Sequence, residues 1–571
     1  MMSLFQHLRD SPHKSLPLIA AASLLALASC TAGPSGPGPS TPPSTSAPGS
    51  APASETPRTT PAPATASPSP DPGAAPLGWG PQRRDQDAAA AAVAAMTPEE
   101  KAGQVLLPSF AGQQVEAQAA AIERLHLAGS IIMGDNVPRD PQGKVDLASM
   151  TAINQRLSEA TAADGSPWPG IVAVDQEGGI VARLGAPLTV WPSPMSYGAA
   201  GNTTLTRDAG QGLAGELAPL GFNLDFAPDA DVTVGPGDPT IGARSMSGDP
   251  AAAAAHSVAF SQGMLAAGVL PTVKHFPGHG SVTADSHISL PVQNAGVEEL
   301  KGRDWQPFRA AIGAGVPMVM TGHIAVPALE PGVPASLSAK TYAELRGLGF
   351  KGVAVTDALN MGAITKQYPA GSAAVAALAA GADLLLMPAD AAQAHAAIVQ
   401  AVTSGTLPKE RLDEAATRVA TMMVWQGRQA RLAAPAGSAA PVSAKVSAAA
   451  VTVVAGNCSG PLVPGAVRVA GGGPGDKERF EAAAARAGLQ VGSGPLVSLI
   501  GYGGAPAGGD VAVTLDAPWP LQGSTAPVKV ALYGRSDAAF DALAAVLAGK
   551  APAPGKLPAA VGPYPAGTGC P

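Results

Sequence analysis

Eight short apolar runs recur through the middle of this chain, and they constrain its fold more than any other feature. They are VLLPSF (105–110), SIIM (130–133), IVAVD (171–175), FNLDFAP (222–228), LPTVKHF (270–276), PMVMTGH (317–323), GVAVTDA (352–358) and DLLLMPA (383–389). Most are nearly continuous in hydrophobicity, the pattern of a strand covered on both faces. Alanine-rich, helix-like stretches separate several of them, such as AAAAAHSVAFSQGMLAAG and SAAVAALAAGA. Strand–helix alternation repeated this often predicts an α/β fold with a parallel sheet. The candidates are a (β/α)8 TIM-like barrel, with irregular early units, and an open doubly wound sheet. Polar residues stand at the ends of the runs: Asp175, Lys274, His275, His323 and Asp357. In a barrel these ends converge on one mouth, where barrel active sites lie, and this favours the barrel.

Composition changes on both sides of this region. At the start, Arg9 and Lys14 precede the apolar run LPLIAAASLLAL, and Leu27-Ala28-Ser29-Cys30 follows. The run falls short of the roughly 20 apolar residues that a membrane-spanning helix needs. The stretch resembles a bacterial lipobox, which implies a signal peptide over 1–29 and lipid on Cys30. The expected location is then extracytoplasmic, anchored to the cell membrane through that lipid. Residues 31–77 are almost entirely Ala, Pro, Ser, Thr and Gly, too poor in large apolar groups to offset chain entropy. A flexible tether over 30–86 and a barrel over 87–431 are expected. The stretch RLAAPAGSAAPVSAKV (432–447) reads as a linker. Beyond it, AVTVVAG, VRVAGG, PLVSLIGY, DVAVTL and VKVALYG read as strands, and DKERFEAAAARAG and SDAAFDALAAVLAGK as helices. These predict a smaller C-terminal α/β sandwich domain over 448–571. Cys458 and Cys570 both fall in it; in an oxidising compartment they are candidates for a disulfide, with free buried thiols as the alternative.

Several classes are excluded. A net charge of −7 without a basic block argues against a nucleic-acid partner. Three cysteines in 571 residues cannot frame a disulfide scaffold.

The densest chemistry lies in KHFPGHGSVTADSH, residues 274–287, which holds Lys274, His275, His279, Asp285 and His287. Histidine and aspartate clustered in this way are one pattern of a metal site. But His275 and His279 are separated by Pro277-Gly278 and so lack the helical spacing of a zinc motif, and no metal is expected. Asp285 and His287 are two apart and able to pair, and a carboxylate beside an imidazole fixes its tautomer and tunes it as a general acid/base. Asp357 ends an apolar strand, as a nucleophile or as a helix N-cap would. Asp175 is followed by Arg183, and Arg244 sits in IGARS; forked arginine donors suit hydroxyl and carboxylate recognition.

The stretches AVDQEGGIVARL, FNLDFAPDADV, IGARS, KHFPGHGSVTADSH, VMTGHI, VAVTDALNMGAI and AGADLLLMPAD resemble, in order and over about residues 96–425, the motifs of the family-3 glycoside hydrolases. The likeness is greatest to the bacterial β-N-acetylglucosaminidases that act on peptidoglycan fragments. VALYGRSDAAFDALAAVLAGKAPAPGKLP resembles the α/β sandwich that follows the barrel in two-domain members. The resemblance implies an exo-acting, retaining β-N-acetylhexosaminidase that removes terminal N-acetylglucosamine from muropeptides. It makes Asp357 the nucleophile, His287 the acid/base group and Asp285 its partner. It gives Asp175, Arg183, Arg244, Lys274 and His275 the task of gripping the terminal sugar. No cofactor is implied, and the expected partners are the glycan and the membrane. Two positions depart from the family pattern: Ile180 replaces an arginine, and Ala358 replaces an acidic residue after the nucleophile. A β-glucosidase, a phosphorylase and a non-catalytic wall-binding lipoprotein remain alternatives on the same fold.

Overall fold

Each of the eight apolar runs becomes a strand in the computed structural model, which describes residues 71–163 and 165–571. They are β1 (Leu106–Leu107), β2 (Gly129–Ile132), β3 (Ile171–Val174), β4 (Leu224–Asp225), β5 (Leu270–Phe276), β6 (Met318–Thr321), β7 (Val353–Thr356) and β8 (Leu385–Leu386). Strands β2 to β7 pair in sequence order, all parallel, with Gly129 opposite Ile171, Leu224 opposite Leu270 and Met318 opposite Val353. Strand β1 pairs with β8, Leu106 opposite Leu385. A parallel bridge from Val355 to Leu384 joins β7 to β8, and Ala128 and Ile131 donate amides to Leu106 and Pro108 across the β1–β2 seam. The ring is thereby closed, and the open-sheet alternative is set aside. A helix follows every strand, from Val115–Leu125 after β1 to Ala391–Thr403 after β8.

Local sequence sets the helix starts. Thr97 and Glu100 exchange backbone and side-chain hydrogen bonds with Pro98 in the first turn, as the Thr-Pro-Glu-Glu spacing predicts. Asp146, Asn202, Asp249 and Asp390 cap later helices through their side chains. The irregular units are β1, β4 and β8, two residues each; after β4 a long loop runs to the short turn Gly242–Arg244.

Two boundaries differ from the sequence expectation. The globule starts before residue 87: a helix begins at Arg83, Pro76 bridges Gln82, and Trp79 is only 5% exposed. One large aromatic in an otherwise small-residue stretch is enough to dock that stretch. The segment 432–447 is not a free linker: Leu432 and Ala434 bond back to Ala267 and Gly215, and a helix spans Ala440–Ala450. Pro441 lies in its first turn, where proline is tolerated. The signal segment, Cys30 and the tether up to residue 70 lie outside the described residues.

The C-terminal domain is a five-stranded sheet of β9 (Thr452–Ala455), β10 (Ala466–Gly471), β11 (Gln490–Ile500), β12 (Val511–Thr514) and β13 (Val528–Ala531). Its order is β9-β13-β12-β11-β10, parallel except for β9 against β13. The helices Asp476–Arg486 and Asp537–Leu547 pack together through Phe480 and Phe540. Cys458 and Cys570 are joined as a disulfide, with Cα atoms 5.3 Å apart. Domain and barrel share a buried cluster that includes Met195, Ala199, Ala450, Ile500 and Tyr533. At the same seam Ser193 donates its amide to Tyr533 and Ser247 its hydroxyl to Pro558, each at 2.8 Å. Among the described residues no helix is long and apolar enough to cross a membrane.

Candidate active site

The strand ends bring most of the sequence candidates into one buried charge cluster. Asp175, just after β3, pairs with Arg183 at 3.0 Å and with the Lys274 Nζ of β5 at 3.1 Å. Between them sits Glu177, fully buried, which takes Lys274 at 2.7 Å and Arg244 at 2.9 and 2.8 Å through a forked contact. Gln176 shapes the turn that presents these carboxylates. Its side-chain oxygen accepts the Arg183 and Leu184 amides, and its own amide donates to Asp225 at the end of β4. Burial opposes ionisation of Glu177, yet Arg244 and Lys274 outweigh it and hold the carboxyl well below its ordinary range. The same pairing reverses the effect of burial on Lys274 and raises it to about 12.

A second layer supports the first. Asp231 accepts from His275 Nδ1 at 2.7 Å and from the amides of His275 and His279. This carboxylate fixes the His275 ring and leaves its Nε2 toward Arg244, 3.5 Å away. Asp229 lies beside both, its Oδ2 3.5 Å from Arg244, and burial together with Asp231 pushes it well above the carboxylate range. Asp229, Asp231 and His275 are close enough to surround a cation. However, the Arg244 guanidinium already faces Asp229, and His275 Nδ1 is committed to Asp231. The arrangement is an orienting network, not a vacant donor set. The turn after β5 needs Gly278 (φ +118°): a Cβ there would meet the Asp304 side chain at 2.5 Å.

Asp357 leaves β7 at the floor of the mouth. Its Oδ1 accepts the Ala358 amide at 2.8 Å, and its own amide is held by the Thr321 carbonyl. Burial works against the charge, but the facing His323 and His275 rings and the Ala358 amide prevail, and the carboxyl stays well below its ordinary range. His323 is itself locked between Ser336 Oγ at 2.7 Å and the Ala358 carbonyl at 2.9 Å, and burial lowers its pKa. Both Ala358 contacts use backbone atoms, so the alanine at this position preserves them. Ile180 stands partly exposed at the tip of the hairpin that carries Glu177.

Asp285 and His287 pair at 2.8 Å between Oδ1 and Nδ1, and the same oxygen caps the His287 amide. The imidazole is 63% exposed, unlike every other histidine of the site. Its loop is pinned to the segment that follows Asp357. Gly362 and Ala363 donate amides to the carbonyls of His287 and Ser286, and Lys366 reaches the Ile288 carbonyl at 2.6 Å. Thus Asp175, Arg183, Arg244, Lys274 and His275 form one cluster, Asp357 lies within electrostatic reach of His323 and His275, and the Asp285–His287 pair rides on the segment that follows Asp357. Sequence reasoning gave no role to Glu177, Asp229, Asp231 or His279, although the first three stand inside the motifs DQEGG and FNLDFAPDADV. Their importance lies in contacts across strands, which spacing along the chain does not show.

A closed parallel barrel that gathers carboxylates, arginines and a histidine–carboxylate pair at its C-terminal mouth has the layout of a barrel enzyme, with groups able to cleave a glycosidic bond. The comparisons agree. Residues 97–422 match the model of the glycosyl hydrolase family 3 N-terminal domain. The chain belongs to glycosyl hydrolase family 3, and it is a glycoside hydrolase. It is 34% identical over 339 residues to beta-hexosaminidase LpqI of Mycobacterium tuberculosis, an alignment covering 58% of this chain and 83% of that protein. Among solved structures it is similar to a family 3 β-N-acetylglucosaminidase from Paenibacillus sp. str. FPU-7. That match has a TM-score of 0.73 at 30% identity and covers 82% of this chain and 99% of the other, so it takes in the C-terminal domain as well. The beta-glucoside phosphorylase BglX shares the fold, with a TM-score of 0.73 at 19% identity.

Proposed function

We propose that this chain is an exo-acting, retaining β-N-acetylhexosaminidase that removes terminal N-acetylglucosamine from peptidoglycan fragments. The observation that carries the reading is the pairing of a buried, ionised Asp357 with an exposed Asp285–His287 dyad anchored on the same segment. A retaining enzyme needs a nucleophile and a proton-transfer group on either side of the scissile bond. Asp357 attacks the anomeric carbon and a glycosyl–enzyme ester forms. As the glycosidic C–O bond breaks, the His287 imidazolium gives its Nε2 proton to the leaving oxygen, while Asp285 holds the Nδ1 proton. In the second step His287 takes a proton from water, the oxygen attacks the anomeric carbon, and Asp357 departs as carboxylate. Asp175, Arg183, Arg244, Lys274 and His275 grip the hydroxyls of the terminal sugar.

A histidine in place of the usual second carboxylate avoids repelling an anionic leaving group, such as one bearing a lactyl ether. That favours muramic-acid-containing fragments. Lipid on Cys30 and the tether behind it would hold the enzyme at the membrane surface within reach of wall fragments. Partitioning of the full chain into detergent, lost in Cys30→Ala, is the expected mark of that anchor.

The test of the activity is turnover of an aryl N-acetyl-β-glucosaminide beside an aryl β-glucoside, with and without phosphate. The N-acetylglucosaminide is expected to be cleaved, and Asp357→Ala and His287→Ala to lower kcat by about 1,000-fold or more. A folded wild-type protein that turns over neither aryl glycosides nor muropeptides would overturn the proposal, and release of a sugar phosphate would make it a phosphorylase.

A further inference from the structure

Of residues 283–290, the loop that carries the Asp285–His287 pair, Ser286 alone is buried. Its hydroxyl meets His279 Nε2 at 3.0 Å, and its carbonyl accepts the Ala363 amide. His279 is itself only 1% exposed. Its Nδ1 is buried and has no hydrogen-bond partner among the described residues, so Ser286 is the polar group that the ring addresses. A buried imidazole with a single hydrogen bond costs stability that an apolar side chain of similar size would not. The contact with Ser286 is what distinguishes histidine from leucine at this position. The backbone beneath the ring is held on every side. The His279 amide donates to Asp231 Oδ1. The Gly278 amide donates to the His275 carbonyl at 2.7 Å, the Trp305 indole to the Pro277 carbonyl at 3.0 Å, and the Val234 amide to the Gly280 carbonyl at 2.9 Å. At Gly280 a Cβ would meet the Val232 carbonyl oxygen at 2.5 Å, so this stretch lies directly on its neighbour's backbone.

We propose that His279 is a positioning residue for proton transfer: through Ser286 it seats the loop that carries Asp285 and His287. The inference rests on the hexosaminidase reading, with His287 as the acid/base group, and adds what ties that group to the cluster gripping the sugar. The link is short. Asp231 holds both the His275 ring and the His279 amide, His279 holds Ser286, and Ser286 stands between the two members of the pair. The Asp285–His287 contact itself lies within the loop. It orients the imidazole on the loop but does not place the loop against the sugar. The holds from Gly362, Ala363 and Lys366 all reach backbone carbonyls, whereas the hold from His279 reaches a side chain. A neutral imidazole carries one N–H. With that hydrogen on Nε2, His279 donates to the Ser286 hydroxyl, and Nδ1 is left as a bare acceptor, the milder of the two losses.

The test compares the full chain with Ser286→Ala, His279→Leu and the double variant. Each single change removes the contact with little change in volume. Two substrates are used, the 3,4-dinitrophenyl and the phenyl N-acetyl-β-glucosaminide. Dinitrophenolate leaves as a stable anion without a proton, whereas phenolate leaves far more readily with one. A misplaced acid group costs rate only where the proton is needed, so each single variant is expected to lower kcat/KM on the phenyl glycoside at least about 10-fold more than on the dinitrophenyl one. The double variant should fall no further than the weaker single one, because both changes break the same contact. Equal falls on the two substrates, no fall on the phenyl glycoside, or additive falls in the double variant would overturn the proposal. Hydrogen–deuterium exchange separates this inference from the function on which it rests. The Gly362 and Ala363 amides donate to the loop, so an unseated loop should exchange them at least about 5-fold faster in both variants. Faster exchange in variants of a wild type that cleaves neither substrate keeps the seating and drops the hydrolytic reading. Unchanged exchange beside an active wild type drops the seating alone, and unchanged exchange without cleavage drops both.

Discussion

Replacing Glu177 by glutamine probes the physics of the site more directly than removing a reactive residue. The carboxylate is fully buried and faces two cations, Lys274 at 2.7 Å and Arg244 at 2.8 and 2.9 Å. At an effective dielectric of about 20, each such contact is worth about 6 kcal/mol of attraction before desolvation. Taking the carboxylate out of water offsets several kcal/mol of this, so the intact network adds little net stability. Glu177→Gln keeps the shape and one acceptor oxygen but loses the charge. Lys274 then keeps Asp175, shared with Arg183, and Arg244 keeps Asp229 at 3.5 Å, neither at the close contact that Glu177 gives. Removing one partner of a buried ion pair costs about 3–5 kcal/mol, and that is the expected loss. Urea denaturation followed by tryptophan fluorescence measures it. The variant Glu177→Gln/Arg244→Met, which removes one stranded cation, should recover at least about 1 kcal/mol relative to the sum of the single changes. A loss below about 1 kcal/mol for Glu177→Gln, or strict additivity in the double variant, would refute the reasoning, because the cations would then be shown to find water or other partners.

Two further outcomes concern stability. Burial holds His279 and His256 neutral, both lowered to about 4, whereas in the unfolded chain they titrate near the usual 6.5. Their contribution is complete above pH 6.5 and is lost as pH falls from there through about 4, up to about 3 kcal/mol for each. Asp238 and Asp304, raised by burial to about 6, act with the opposite sign, stabilising at low pH and losing that contribution as pH rises through 6. The wild-type profile is therefore expected to be shallow, and His279→Gln should become relatively more stable than wild type between pH 7.5 and 5. Parallel denaturation midpoints for the two proteins at both pH values would contradict this. Trp79→Ala is expected to destabilise the barrel by about 3–5 kcal/mol, since the ring is buried against it; an unchanged urea midpoint would return residues 71–86 to the tether.

Much of the molecule was legible in the order of residues along the chain. The eight apolar runs became the eight barrel strands because a strand buried on both faces has no freedom to be polar. The five later runs became the second sheet for the same reason. The residues singled out at strand ends gathered at one mouth, since parallel strands in a closed ring bring all their C-terminal ends to one side. The Asp285–His287 contact was legible too, because two residues on a loop can touch without help from the rest of the fold. The boundaries at 87 and 432 were not. Trp79 and the helix Ala440–Ala450 owe their order to surfaces far away in sequence.

The tertiary structure alone decided which groups hold the others in place. Glu177, Asp229 and Asp231 are ordinary acidic residues until β3, β4 and β5 stand side by side. Only then do carboxylates that follow β3 and β4 meet the lysine and histidine of β5 within 3 Å. The seam where Ser193 meets Tyr533 and Ser247 meets Pro558 is likewise a property of two domains in contact. Strand periodicity is written locally, because each residue's burial is set by its own strand. Electrostatic partnership depends on distance through space, and only the closed barrel fixes that distance.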